Sequence, residues 1–205
     1  IDTAVNYRNE REVAQALQAS GVAREDLWIQ TKVPGRDHRG ARKSVETTLQ
    51  VMDLDVVDSV LIHWPNPSRD EYLAAWEGLI EARERGLVRH IGVSNFHAHH
   101  LDRVVEATGV TPFANQIELH PRFPQPEMRA AHRDLGIQTE AWSPMGKRSA
   151  PFEAEPVAAA AKAHDVSPGQ VILRWHLQRG VMPLPKSATP SRQADNLDVF
   201  GFELS

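Results

Sequence analysis

Apolar and polar positions along the chain fall into two alternating periods. Short β-rich runs occupy residues 27–31, 56–62, 90–93, 113–117, 137–141 and 181–184, each too short for a stable helix. Between them, apolar residues recur at helical spacing. Val13, Ala16 and Leu17 lead to Gly21, and Val45, Leu49 and Met52 form a second stripe; Leu73, Trp76, Leu79 and Ile80 lead to Gly86. Leu101, Val104 and Val105 precede Gly109, and Met128, Ala131 and Leu135 precede Gly136, so glycine closes these helices as a C-terminal cap does. Ser167-Pro168-Gly169-Gln170 reads as an N-cap, a first-turn proline and a capping-box glutamine, opening a helix that runs to Gly180. Thr189-Pro190 opens another in the same way, and the alanine-rich stretch 154–163 supplies one extra helix.

Strand and helix alternating at this pitch indicate an α/β protein with a parallel sheet, either closed as a barrel or open and doubly wound. An open nucleotide-binding sheet usually carries G-x-G-x-x-G after an early strand, and no such segment occurs. The pattern therefore favours a (β/α)8 TIM barrel. Such barrels usually need about 250 residues, so a chain of 205 is expected to lack roughly the first β/α unit and the C-terminal tail. The opening Ile1-Asp2-Thr3-Ala4 and the end at Phe202-Glu203-Leu204-Ser205 both read as interior sequence. Residues 1–205 are expected to form a single barrel-type domain, an interior portion of it.

Composition narrows the function. The net charge of -4 comes from interspersed acids and bases, which disfavours a nucleic acid or anionic membrane as partner. Cysteine is absent, which excludes disulfides, thiolate metal sites and a cysteine nucleophile. No apolar run approaches the roughly 18 residues of a membrane helix, so a soluble, cytoplasmic protein is expected.

In a barrel of this kind the residue after each strand is the informative one, because the active site forms at the strands' C-terminal ends. Those positions hold Asp2, Lys32, His63, Ser94-Asn95, Gln116, Trp142-Ser143 and Lys186-Ser187. One polar loop residue means little; chance is a poor account of the whole set. If Asp2, Tyr7, Lys32 and His63 meet at one mouth, Lys32 would favour the tyrosine's phenolate and lower its pKa from about 10. Asp2 would hold the lysine, and His63 would donate to a substrate oxygen. That is a general acid with an oxyanion site, suited to carbonyl reduction by an external hydride, which a cofactor must supply.

These residues lie in motifs that resemble the aldo-keto reductase family along essentially the whole chain. Ile1-Asp2-Thr3-Ala4-Val5-Asn6-Tyr7 with Asn9-Glu10 resembles the D-T-A-x-x-Y-x-N-E segment, Thr31-Lys32 the catalytic-lysine strand, and Leu61-Ile62-His63-Trp64-Pro65 the L-I-H-W-P segment. Ile91 to Phe96 and Asn115 to Pro121 are similar to further family segments. The resemblance implies an NADPH-dependent oxidoreductase with Tyr7 as acid, Lys32 and Asp2 tuning it and His63 polarising the carbonyl. It implies that Ser94, Asn95 and Gln116 hold the carboxamide of nicotinamide and that Trp142, where tyrosine is common, stacks on the ring. Ser143, Met145 and Gly146 correspond to the pyrophosphate segment. Lys186, Ser187, Thr189, Arg192 and Asn196 match the adenosine end, with Lys186 and Arg192 for the 2′-phosphate. Asp195 stands where glutamate is usual.

The substrate side is less legible. Trp64 reads either as a pocket wall or as packing under a loop, and Val33-Pro34-Gly35 departs from members with a bulky aromatic there. The segment 147–152 resembles bacterial small-carbonyl and 2,5-diketo-gluconate reductase-like members, which act on small aldehydes, α-dicarbonyls and keto-sugars. A monomer is expected of the complete barrel.

Competing readings rest on fewer residues. His97-Ala98-His99-His100, or His63 with Glu118 and His120, invite a metal centre, but adjacent histidines opening a helix point apart, whereas catalytic metals need convergent ligands. Asp58, inside a strand, reads as a structural hydrogen-bonding residue. The alternative of a different class is an inactive truncated or regulatory barrel that binds nucleotide or a protein partner; a missing strand would leave unpaired edges.

Overall fold

The computed structural model describes residues 1–147 and 151–205. Among them six parallel strands alternate with eight α-helices: α1 (Glu10–Ser20), β1 (Gln30–Val33), α2 (Ala41–Met52), β2 (Val57–Ile62), α3 (Tyr72–Glu84), β3 (Val88–Ser94), α4 (Ala98–Thr108) and β4 (Ala114–Glu118). Then follow α5 (Pro126–Leu135), β5 (Gln138–Trp142), α6 (Glu155–His164), α7 (Pro168–Leu177), β6 (Val181–Leu184) and α8 (Pro190–Leu197). The chain divides into two compact units, Ile1–Asn115 with Leu135–Ile137, and Gln116–Asp134 with Gln138–Ser205.

In the first unit β1, β2 and β3 pair in parallel, with Gln30 opposite Ser59, Lys32 opposite Leu61, and Leu61 opposite Gly92. Strand period 2 then puts Gln30, Lys32, Ser59 and Leu61 on one face and Thr31 on the other. Gly92 is required where it stands, because a Cβ there would lie 2.6 Å from Leu61 Cδ2 and 2.7 Å from the Ala114 carbonyl oxygen. Helices α2 and α3 bury Val45, Met52, Ala75, Trp76 and Leu79 against this sheet.

The first strand starts three residues later than its apolar run suggests. Arg24 Nη1 binds the Leu27 carbonyl at 2.8 Å, and the Ile1 carbonyl accepts from Gln30 N–H, whose own carbonyl accepts from Thr3 N–H, both at 2.9 Å. Pairing thus falls on the polar run Gln30-Thr31-Lys32, and Trp28 is left outside it, stacked on His90 at 5.2 Å.

The second unit pairs β5 with β6 in parallel, Trp142 opposite Leu184, over a cluster of Ile117, Leu119, Ala141 and Val181 flanked by Met128 and Trp175. The cap expected at Ser167 forms: its Oγ accepts from Gln170 N–H at 3.2 Å while Gln170 Oε1 accepts from Ser167 N–H at 2.9 Å. Helix α7 ends at Leu177, three residues before Gly180, which has φ 68°. Two helix ends escaped the glycine rule, since Asp53 and Asp165 take the left-handed cap at φ 55° and 54°. Among the described residues no helix is long and apolar enough to cross a membrane.

Candidate active site

Four of the expected site residues meet in the first unit. Asp2 bridges in parallel to Gln30, and a short helical turn at Val5–Tyr7, closed by Tyr7 N–H on the Ala4 carbonyl at 2.9 Å, follows it. Lys32, on the same face of β1 as Gln30, is fully buried, and its Nζ donates to Asp2 Oδ1 at 2.7 Å, Asp2 Oδ2 at 2.6 Å and the Thr3 carbonyl at 2.9 Å. A buried ammonium survives only when paired and hydrogen-bonded, and Asp2 supplies that. Gln30 Nε2 donates to Asp2 Oδ1 at 2.9 Å as well, fixing the carboxylate.

The Tyr7 ring centroid lies 5.3 Å from Lys32 Nζ and 5.8 Å from the His63 ring, edge-on at 83°. Tyr7 is half exposed, as is Trp64. The expectation that Lys32 lowers the Tyr7 pKa needs correction: partial burial, and after it the Asp2 carboxylate, hold it above the usual phenol value. The physical reason is that partial burial and the Asp2 carboxylate both disfavour the charged phenolate. His63 is held at about 4, chiefly by burial and then by Lys32, against an opposing contribution from Asp2, so it is a neutral imidazole at pH 7. Its Nδ1 is buried without a hydrogen-bond partner among the described residues.

Asn95, in the left-handed region at φ 63°, donates from Nδ2 to the His63 carbonyl at 3.1 Å and to Ser94 Oγ at 3.0 Å. Asn115 clamps the same turn, its Nδ2 donating to the Phe96 carbonyl at 3.0 Å. The Thr31 face of β1 is occupied differently: buried Glu10 accepts from Thr31 Oγ1 at 2.7 Å and Thr48 Oγ1 at 3.1 Å, tying α1 and α2 to the lysine strand. Sequence reading saw Glu10 only as part of a motif. Asp58 accepts from Ile29 N–H at 2.8 Å and from Arg89 Nη1 at 2.9 Å and forms an ion pair with Arg24 Nη2 at 2.8 Å, a structural role. A Cβ at Gly35 would lie 1.8 Å from Asn66 Nδ2, so the space an aromatic residue might claim holds the Asn66 amide.

In the second unit Gln116 Nε2 donates to Glu140 Oε2 at 2.9 Å. Beyond β5, Ser143, Met145 and Lys147 border a cavity of about 580 Å³ completed by Lys186 and Ser187 after β6, by Arg192, Asp195 and Asn196 on α8, and by the Ser167-Pro168-Gly169 start of α7. Lys147 and the α7 start escaped the sequence reading; the cap motif at Ser167 was the one available signal. Gly146 and Thr189 lie outside this wall; Gly146 N–H closes a turn on the Ser143 carbonyl at 2.8 Å, and Thr189 N–H binds Ser187 Oγ at 3.1 Å. Trp142 lies under Lys147, whose Nζ is 4.6 Å from the indole centroid. Of the segment 147–152, residues 148–150 lie outside the described residues.

Among the described residues the cavity sets Lys147, Lys186 and Arg192 against one carboxylate, Asp195, at the positive end of a helix dipole, which suits a polyanionic ligand such as a phosphate-bearing cofactor. Among the described residues no group of three or more histidines and carboxylates is placed to hold a metal ion.

The first unit thus brings a fully buried lysine, paired with a carboxylate, beside a tyrosine and a neutral histidine. The model of the aldo/keto reductase family matches residues 1–205, and the chain belongs to that family. It is 51% identical over 207 residues to 2,5-diketo-D-gluconic acid reductase B of a Corynebacterium species, covering 100% of this chain and 75% of the relative. It is 44% identical to methylglyoxal reductase DkgA of Escherichia coli, covering 100% of this chain and 74% of that one. Among solved structures, an aldo/keto reductase from Brucella melitensis superposes with TM-score 0.95 at 44% identity over 100% of this chain and 79% of its own. A Gox0644 mutant in complex with NADPH gives 0.93 at 40% identity, over 100% and 74%. The fold class is thus α/β with parallel strands, as in the family's barrels, with six strands among the described residues, and the protein is an oxidoreductase.

Proposed function

We propose that the protein reduces small aldehydes, α-dicarbonyls or keto-sugars to alcohols with NADPH. The observation that carries this is the Tyr7, Lys32, Asp2 and His63 arrangement: a protonated phenol next to a buried ion pair and an uncharged imidazole. NADPH, when bound, supplies the hydride. Tyr7 gives its proton to the carbonyl oxygen, and His63, neutral, donates a hydrogen bond to the same atom. Lys32 holds Asp2 and presents positive charge toward the phenolate that proton loss leaves.

Trp64 and Tyr7, both half exposed, offer apolar surface to the substrate. Ser94, Asn95 and Gln116 take the carboxamide role, Trp142 the ring, Ser143, Met145 and Gly146 the pyrophosphate, and Ser187, Thr189 and Asn196 the adenosine, all on the family resemblance. Lys186 and Arg192 meet the 2′-phosphate, and their place in the cavity wall supports this. The relatives' names, a diketogluconate and a methylglyoxal reductase, support the substrate class. The single barrel domain, the monomeric state and the cytoplasmic location belong to the same proposal.

The test is NADPH oxidation followed at its absorbance with methylglyoxal, 2,5-diketo-D-gluconate and simple aldehydes. Turnover with at least the dicarbonyl is expected. NADPH binding without turnover of any carbonyl would favour the inactive alternative.

A further inference from the structure

The segment after β5 turns through an unusual backbone. Ser143 has φ 50°, Gly146 80° and Lys147 48°. A side-chain-bearing residue in that region costs roughly 1 kcal/mol or more, so the turn needs support from outside itself. It faces the cavity through Ser143, Pro144, Met145 and Lys147. The Pro144 carbonyl also accepts a 3.0 Å hydrogen bond from His176 Nε2, which lies outside the cavity wall.

His176 has no exposed surface, and burial is the main reason its pKa is held at about 4, so the ring is neutral. A neutral imidazole facing a carbonyl must carry its one proton on the facing nitrogen. Its Nδ1 is buried without a partner among the described residues, as the proton on Nε2 requires. The same helix begins at Ser167-Pro168-Gly169 in the cavity wall, and His176 sits two and a half turns further on, about 14 Å along the axis. Gly169 would place a Cβ 3.6 Å from Met145 Cε, in ordinary contact, so α7 meets the turn at both places.

We infer that His176 is a positioning residue for the cofactor: by donating from Nε2 to the Pro144 carbonyl it fixes the turn 143–147 in the shape that receives the dinucleotide's phosphates. This rests on reading the cavity as the NADPH site. His176 itself lines no part of the cavity and acts through Pro144.

The experiment measures NADPH affinity by fluorescence enhancement for the unmodified protein, His176→Leu and His176→Gln, with the carbonyl KM and the melting temperature recorded beside it. Leucine fills similar volume without a donor; the glutamine amide nitrogen reaches where Nε2 was. The leucine variant should bind NADPH about tenfold more weakly, the cost of one lost hydrogen bond at an otherwise buried acceptor. Glutamine should restore affinity to within about twofold, with the carbonyl KM unchanged in both. Leucine binding as tightly as histidine, or glutamine binding as weakly as leucine, would overturn the inference. If the leucine variant does not fold, ¹⁵N shifts of the unmodified protein decide: the Nε2–H tautomer is expected, and an Nδ1–H tautomer overturns it. Failure of the unmodified protein to bind NADPH would instead remove the nucleotide reading of the cavity and the inference with it.

Discussion

Lys32 shows how much of the site's behaviour follows from one ion pair. Its ammonium is paired with Asp2 at 2.6 and 2.7 Å, while partial burial and then the Asp2 carboxylate hold Tyr7 above the usual phenol value, so Tyr7 keeps its proton across the neutral range. A general acid that is fully protonated but weak gains strength only as negative charge starts to form on the reacting oxygen, when the nearby ammonium begins to matter. A second residue-scale test concerns Arg192, one of the exposed cations in the cavity wall of the second unit. Arg192→Ala should weaken NADPH about tenfold, the worth of a charge-assisted hydrogen bond discounted for exposure, and NADH by less than about twofold. Equal losses in a side-by-side titration would argue against the 2′-phosphate role. Residue identities at this scale were largely legible: motif spacing named Asp2, Tyr7, Lys32 and His63 before their proximity was known. The direction of the Tyr7 shift was not, because it depends first on how far the ring is buried and then on the nearby Asp2 carboxylate, neither of which follows from residue type.

At the scale of elements, β1 is instructive. Its apolar run invites a strand at 27–31, yet the paired residues are Gln30–Val33, because polar side chains are what the strand delivers: Gln30 and Lys32 to Asp2, Thr31 to Glu10. Sequence periodicity weighs burial and undervalues buried polar groups whose partners lie far along the chain. Strand β2 carries the complementary case. Asp58 ties Ile29 N–H, Arg24 and Arg89 together at the start of the strand, away from His63 at its end. In Asp58→Ala the two arginines, partly exposed, can return to water, and the lasting loss is the buried Ile29 amide left unpaired. The expected destabilisation is about 1–3 kcal/mol, read by chemical denaturation, with kcat per folded molecule unchanged. A loss of kcat without loss of stability would mean that Asp58 reaches the chemistry.

For the whole molecule, five histidines that burial holds below their ordinary value shape the response to acid, His38 among them. His63, His100, His132 and His176 are each held at about 4 with burial the first cause, although their ordinary value is 6.5. Between those two pH values the unfolded chain binds protons that the folded chain refuses, so stability falls as pH drops from about 6.5 to 4 and is flat above. A melting temperature that declines steeply over that window is expected, and one constant down to pH 4 would show the imidazoles to be solvated. Helix and strand alternation across residues 1–205 made the α/β fold readable, since each apolar stripe is local. The cavity beside α7 was less so, for it gathers Lys147, Ser167 and Arg192 from separate parts of the second unit. The central claim, that Tyr7 is the proton donor of an NADPH-dependent carbonyl reduction, is tested most directly by Tyr7→Phe, with turnover of methylglyoxal and NADPH affinity measured on the same preparation. Removal of a general acid should lower kcat by about 10²–10⁴-fold and leave the NADPH dissociation constant within about twofold; turnover close to that of the unmodified protein would contradict it.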